Sequence, residues 1–267
     1  MGQRVQGTDG GNGEVPSMCP RCVLAGILGE ALQDPDSRQL LARLTQDKTS
    51  LGCGQTLRRD GEVFQALYML RAGALKTTTV SEDGSPQVID FHFPGELIGL
   101  SALGTGRYLG LITALSPSAL CVIRSTDLED LSTRYPGVRK RLLQLAAREV
   151  GRRERMHQLM LGTRAEVRLA LALLNIAGRL QVLSADGLSR FRLPMARADL
   201  AAYLGLTPET TSRHLRNWES KGWISTRGRE FRVEVPDALQ VIASRRIPDG
   251  VSVNHTRLAG IGSGLPG

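Results

Sequence analysis

Two sets of side chains in this sequence have types and spacings suited to defined chemistry. The first lies in Met195 to Ile224, MARADLAAYLGLTPETTSRHLRNWESKGWI, where Glu209, Ser212, Arg213 and Arg216 recur at offsets of three, four and seven. On a helix those offsets share one face. An arginine fork takes guanine O6 and N7, a Glu carboxylate accepts from cytosine N4, and a Ser hydroxyl serves base or phosphate. Such a stripe is suited to reading duplex DNA. The second set is Cys19, Cys22, Cys53 and Cys121. In a reducing compartment these four would stay as thiols, so a metal or redox role outranks a disulfide framework. Cys19-Pro-Arg-Cys22 fits a zinc half-site or a dithiol pair; the alternative is no cofactor, with Cys53 and Cys121 as ordinary buried thiols.

The polar stripe needs a helix to carry it, and the local signals supply one. Thr207 is placed as N-cap with Pro208 in the first helical position, and Gly222 follows Lys221 as a C′ residue, so a helix is expected over about 208–221. Thr211, Leu215 and Trp218 form its apolar face, matched by Leu200, Leu204 and Leu206 of a shorter helix before Gly205. Together they read as a helix-turn-helix. Behind it, Trp223 to Thr226 and Phe231 to Val235 flank Arg227-Gly228-Arg229 as a β-wing, with Arg227 and Arg229 placed for phosphates.

Upstream, short β-type runs punctuated by glycine occupy 56–123: Val63 to Leu70, Ala74 to Val80, Gln87 to Phe93, Leu97 to Gly99, Leu111 to Leu115 and Ala119 to Ile123. Their spacing predicts an all-β roll with a hairpin tip at Glu82-Asp83-Gly84-Ser85. Capping boxes at Thr126 with Glu129 and at Thr163 with Glu166 each predict a helix start. Between them, 137–161 reads as one long helix. Its Leu142, Leu145, Val150 and Met156 form a partial apolar seam, suited to a homodimer contact or to packing on the chain's own β-region. The fold class is therefore α+β. The expected domains are a tail at 1–18, a sensory β-roll with its Cys segment at 19–136, a dimerisation helix at 137–162, a winged helix-turn-helix at 163–246 and a tail at 247–267.

Composition agrees with a polyanionic partner. The 267 residues carry a formal net charge of +8, and 163–246 alone holds 14 Lys or Arg against 8 Asp or Glu. No stretch approaches the roughly 20 apolar residues that span a bilayer, and the N-terminus lacks an apolar core and cleavage site, so a cytoplasmic protein without membrane contact is expected. Enzyme chemistry is not indicated. There is no nucleophile motif, phosphate-cradling glycine loop or paired carboxylate set, and His92, His157, His214 and His255 have no metal-ligand spacing. A cupin-like enzyme would need a His and carboxylate cluster on the strands, where only His92 stands.

The order β-roll, long helix, winged helix-turn-helix resembles the cyclic AMP receptor protein/fumarate and nitrate reductase regulator (CRP/FNR) family, over about 55–243. The phrases that carry the likeness are GQTLRRDGE from Gly54, FHFPGELIG from Phe91 and YLGLTPETTSRHL from Tyr203, and they are most similar to the FNR subgroup. The resemblance implies a transcription regulator that binds a palindrome as a dimer, its recognition helices about 34 Å apart. It further implies that Glu209, Ser212 and Arg213 read a TTGA-type half-site, and that RNA polymerase is a partner where the protein activates. FNR proteins hold an oxygen-labile [4Fe-4S] cluster on four cysteines. Cys19, Cys22 and Cys121 match three of those places; the remaining one is absent, leaving Cys53, Asp34 or Asp36 for it. A cyclic-nucleotide pocket of the CRP kind is not expected, because 101–115 offers only Arg107 as a phosphate clamp. Where the family has Thr or Ser capping the first helix of the motif, this chain has Ala196, a change worth about 1 kcal/mol of local stability.

Overall fold

The computed structural model describes residues 47–81, 84–160, 163–180 and 189–244. Both expected tails, Cys19, Cys22 and Glu82-Asp83 of the anticipated hairpin tip lie outside the described residues. Eight strands build the N-terminal roll: β1 Lys48–Leu51, β2 Thr56–Arg58, β3 Ala66–Ala72, β4 Leu75–Val80, β5 Pro86–His92, β6 Leu97–Ile98, β7 Leu111–Ala114 and β8 Ser118–Arg124. A single helical turn, α1 Ala102–Thr105, lies between β6 and β7. The strands form two antiparallel sheets, ordered β1-β8-β3-β6 and β2-β7-β4-β5. Sequence patterning missed β1 and β2: the short KTSL run only alternates between exposed and half-buried positions, and TLR is half-buried throughout.

The roll core follows from the period of two along β3. Ala66, Tyr68 and Leu70 point between the sheets with Leu75, Ile98, Tyr108, Ile112 and Leu120. Leu67 and Met69 point the other way and join Cys121, Ile123, Leu128, Leu131 and Val138 under the helices that follow. The tight corner at Gly73 takes φ +90°, and a Cβ there would stand 2.2 Å from Ser118 Oγ and 2.5 Å from the Pro117 carbonyl oxygen, so only glycine fits.

Those helices are α2 Ser125–Arg134 and the long α3 Pro136–Met160. The expected Thr126/Glu129 capping box is not formed. Arg124 is the N-cap residue without a side-chain bond, and the first helical N–H, at Ser125, is satisfied by the Gln65 carbonyl instead.

The C-terminal domain comprises α4 Ala165–Arg179, β9 Ser189–Arg192, α5 Arg197–Leu204, α6 Pro208–Ser220, the hairpin β10 Ile224–Arg227 and β11 Glu230–Val233, and α7 Pro236–Ser244. Strand β9 adds to the hairpin, giving a sheet ordered β10-β11-β9. The helix start expected at Thr163 falls one residue later: Arg164 is the N-cap of α4, and the Glu166 carboxylate accepts from Trp218 Nε1 at 2.9 Å. The domain's core, from Val167, Leu173 and Ile176 to Leu215, Trp218, Phe231 and Ile242, is continuous with Ala74, Val88, Phe91 and Phe93 of the roll. One apolar cluster therefore joins the two domains, with α5 laid against β5.

Candidate functional site

Helices α5 and α6 form the expected motif. Gly205 closes α5 in the left-handed region at φ 59°, and Leu206 N–H reaches back to the Ala201 carbonyl at 2.9 Å, a Schellman closure that turns the chain sharply. Ala196 caps α5 without a side-chain acceptor, but its own N–H donates to Asp199 Oδ2 at 3.3 Å, so one end of the missing cap is retained. Helix α6 begins as the sequence predicts, Thr207 Oγ1 accepting from Thr210 N–H at 3.1 Å with Pro208 at the first position.

The two faces of α6 separate cleanly. Thr211, Leu215 and Trp218 are buried. Glu209, Arg213 and Arg216 are exposed and Ser212 is half-buried beside them, so all four predicted residues share the outward stripe. Arg216 Nε leans back onto the Ser212 carbonyl at 3.3 Å. A helix N-terminus with this stripe offers forked donors and one carboxylate to base edges, and its positive dipole end to phosphate.

The wing is a two-residue hairpin: Arg227 pairs with Glu230 across Gly228-Arg229, and Gly228 takes φ 64°. Both arginines are exposed. Arg229 Nη1 also donates to the Pro194 carbonyl at 3.1 Å, which anchors the tip to the segment before α5. Behind the wing, Arg197 Nη2 donates to Thr226 Oγ1 at 2.9 Å, and Thr226 donates to the Glu219 carboxylate, linking α5, α6 and β10.

The long helix divides its expected seam. Leu142 and Leu145 pack against the roll's own cluster around Leu67 and Val138, and Met156 packs against the cluster shared with the C-terminal domain. Each of the three is half-buried by these contacts. Of the four predicted contact residues only Val150 turns outward, 55% exposed, and Leu143, 66% exposed, joins it. With Lys140, Ala147, Glu154 and His157, also exposed, they stand at alternating steps of three and four, the spacing of a coiled-coil seam.

An ionic cluster missed by the sequence reading lies where the domains meet. Asp90 on β5 is nearly inaccessible, its side chain 3% exposed, and accepts two bonds from Arg152 of α3, that from Nη1 at 3.1 Å. Arg179, the last residue of α4, approaches the same carboxylate at 3.6 Å and bonds Glu96 through Nε and Nη2, each at 2.8 Å. Burial alone would raise the Asp90 carboxyl, yet the adjacent cations hold it below the usual range. His92, wholly buried with Nε2 2.7 Å from Thr77 Oγ1, is pushed down by burial and stays neutral at pH 7. Tyr203 of α5 stacks at a tilt on Phe91, centroids 5.0 Å apart, and Lys76 of β4 pairs with Asp199 of α5 at 2.6 Å.

The described cysteines do not converge. Cys121 is buried on the helix side of β8, opposite Met69. Cys53 is exposed past the end of β1, its Sγ donating to the Leu115 carbonyl at 3.3 Å. The β1–β8 register sets Lys48 against Cys121 and Leu51 against Ser118, so at about 3.3 Å per residue the two thiols are roughly 15 Å apart. One compact cluster does not reach both. Cys53 therefore does not fit as the ligand completing a set with Cys121, while Cys19, Cys22, Asp34 and Asp36 lie outside the described residues. Among the described residues no three of His, Cys, Asp and Glu gather as a metal site.

A cavity of about 110 Å³ opens between the roll and α3, lined among others by Thr77, Asp90, His92, Tyr108 and Arg153. Arg107 is not on its wall; its Nη1 donates to the Gly61 carbonyl at 2.8 Å. The Asp90 carboxylate on the wall opposes a cyclic phosphate.

No helix among the described residues is long and apolar enough to cross a membrane. Residues 48–135 match the model of the cyclic nucleotide-binding domain, and 167–242 match the Crp-like helix-turn-helix domain. The chain is 35% identical over 227 residues to the fumarate and nitrate reduction regulatory protein of Escherichia coli K12, covering 84% of this chain and 90% of the relative. It is 34% identical over 220 residues to the transcriptional activator protein FnrA of Stutzerimonas stutzeri, covering 80% and 88%. Among solved structures it is similar to FixK2 from Bradyrhizobium japonicum, with a TM-score of 0.66 at 26% identity, covering 73% of this chain and 96% of that one. With both family models matched in the order of the roll and the helix-turn-helix and these relatives alike over most of their length, the chain belongs to the CRP/FNR family of DNA-binding transcription regulators.

Proposed function

We propose that this regulator works in the cytoplasm as a homodimer that binds a TTGA-type palindrome and responds to oxygen or redox state. The observation that carries the DNA reading is the outward stripe of α6, with Glu209, Ser212 and Arg213 on one face while Thr211, Leu215 and Trp218 bury the other. The same types at the same spacing underlie the likeness to FNR proteins. Leu143, Ala147 and Val150 give α3 a narrow outward seam for a second copy, about which two recognition helices would meet successive major grooves. Where the protein activates, RNA polymerase is the further partner.

The relatives' FNR names support an iron-sulfur cluster. Cys121, in an apolar shell under α2 and α3, suits one thiolate of such a site; Cys19 and Cys22 supply two more, and Asp34 or Asp36 the remaining place, since Cys53 is directed elsewhere. When bound, a [4Fe-4S] cluster supplies oxygen lability. This chain's described part is Cys121, which lies in the cluster it shares with Leu142 and Leu145 of α3, so that a ligand there bears on the long helix.

The test is a binding titration at fixed salt on duplexes carrying two TTGA half-sites, one half-site, or a scrambled site. A preference for the palindrome of at least about a thousandfold over scrambled DNA is expected; equal affinities would leave a nonspecific binder.

A further inference from the structure

One carboxylate on the roll is shared by cations from the helices on either side of the junction at 161–164. Asp90 accepts two bonds from Arg152 of α3 and lies 3.6 Å from Arg179 of α4. The local backbone aims it there. The β4–β5 register pairs Thr77 with Asp90 but Thr78 with Val88, leaving Ile89 as the extra residue of a β-bulge, a device that redirects the side chains beside it. Arg179 is also held by two bonds of 2.8 Å to Glu96 of the roll; the remaining contacts between the domains differ in kind. Phe91 on Tyr203 and the apolar cluster tolerate sliding, and Lys76 to Asp199 is a single contact to α5 alone. Two-point guanidinium bonding to a carboxylate is directional.

We propose that Asp90 is a positioning residue for operator recognition: by bonding Arg152 of α3 and attracting Arg179, whose fork Glu96 holds beside it, it fixes the angle between α3 and the domain that carries the recognition helix. This rests on the dimer reading above, in which α3 defines the two-fold axis. A buried ion cluster is weak evidence for stability and stronger for a single geometry. The quantity set by the angle is the spacing at which two recognition helices meet two half-sites. Because Asp90 also lines the roll cavity, anything that draws its charge away there loosens the angle.

The experiment measures affinity for palindromes whose half-sites are moved apart or together by one and two base pairs, using full-length wild type, Asp90→Asn and Arg152→Met. Arg152→Met keeps the stem's apolar packing should the first variant fold poorly. Wild type should discriminate sharply between spacings, and both variants should lose about tenfold of that discrimination while remaining dimers by light scattering. Variants whose affinities fall in proportion at every spacing would overturn the proposal and leave Asp90 a structural residue. If wild type itself is indifferent to spacing, the palindrome reading fails on its own, and amide hydrogen exchange decides the clamp. Faster exchange in β5, α4 and α5 of Asp90→Asn, with β1 and the wing unchanged, supports it; unchanged exchange at the interface refutes it.

Discussion

The indole N–H of Trp218, at the inner face of the recognition helix, donates to the Glu166 carboxylate on α4 at 2.9 Å. Trp218 is fully buried, so this bond ties the helix that meets DNA to the helix that leads into the domain. Glu166→Ala leaves that donor unpaired and should lower unfolding free energy by about 1–3 kcal/mol. Urea denaturation followed by tryptophan fluorescence measures it, and an unmoved midpoint would show that the bond contributes nothing.

Base reading and phosphate contact should separate by mutation. Arg213→Ala removes an exposed fork from the α6 stripe and should weaken palindrome binding by about 1–3 kcal/mol while relaxing preference at one base pair. Arg227→Ala, at the wing, should weaken all sequences alike and reduce the salt slope by about one. Equal losses on specific and random DNA for Arg213→Ala would falsify its assignment.

The two faces of α3 should respond differently to charge. Val150→Glu sets like charges against each other across the seam and should raise the monomer fraction in light scattering without changing the melting temperature of the roll. Leu142→Glu, about 80° around the helix from Val150 and packed on the roll cluster, should unfold the roll instead, because a carboxylate there has no partner.

Stability should fall on mild acidification through His92. Its folded pKa lies below the ordinary value of 6.5, with burial the largest cause. Above that value both states are neutral and the contribution is whole; as pH falls below it the unfolded chain takes up a proton that the folded one refuses. Denaturation midpoints should thus decline from pH 7 towards 5, by up to about 1.4 kcal/mol per unit, and His92→Gln should flatten that slope. Asp90, with its pKa depressed, loses its contribution only in stronger acid. A wild-type slope retained in His92→Gln would assign the effect to another group.

For the cysteines, anaerobically prepared Cys121→Ser and Cys22→Ser should lose visible absorption and iron, while Cys53→Ser keeps both. Loss in Cys53→Ser would mean that β1 is rearranged around the cofactor.

Much of this architecture was legible in local chemistry. Thr207, Pro208 and Gly205 define α6 and the turn before it through backbone preferences that act within a few residues, and the buried and exposed faces of α6 follow from side-chain type. What escaped depends on separations the sequence does not display. Asp90, Glu96, Arg152 and Arg179 carry no spacing signal, since they meet only after three elements have folded. Leu142 and Leu143 are equally apolar, and only the presence of the roll decides that Leu142 packs on it while Leu143 stays exposed. Glu166 was read as a capping residue because the residue that claims it is 52 positions away.

The burial of Leu142, Leu145 and Val138 against the roll means that each copy of α3 is already supported before a partner arrives. On the dimer proposed above, pairing through Leu143, Ala147 and Val150 would then be a reversible equilibrium rather than a condition of folding. Below the dissociation constant of that equilibrium, occupancy of a two-half-site operator rises with the square of the subunit concentration. A twofold change in the amount of protein in the cell would then be read at the promoter as about a fourfold change, so the abundance of the chain is itself an input alongside whatever the roll detects.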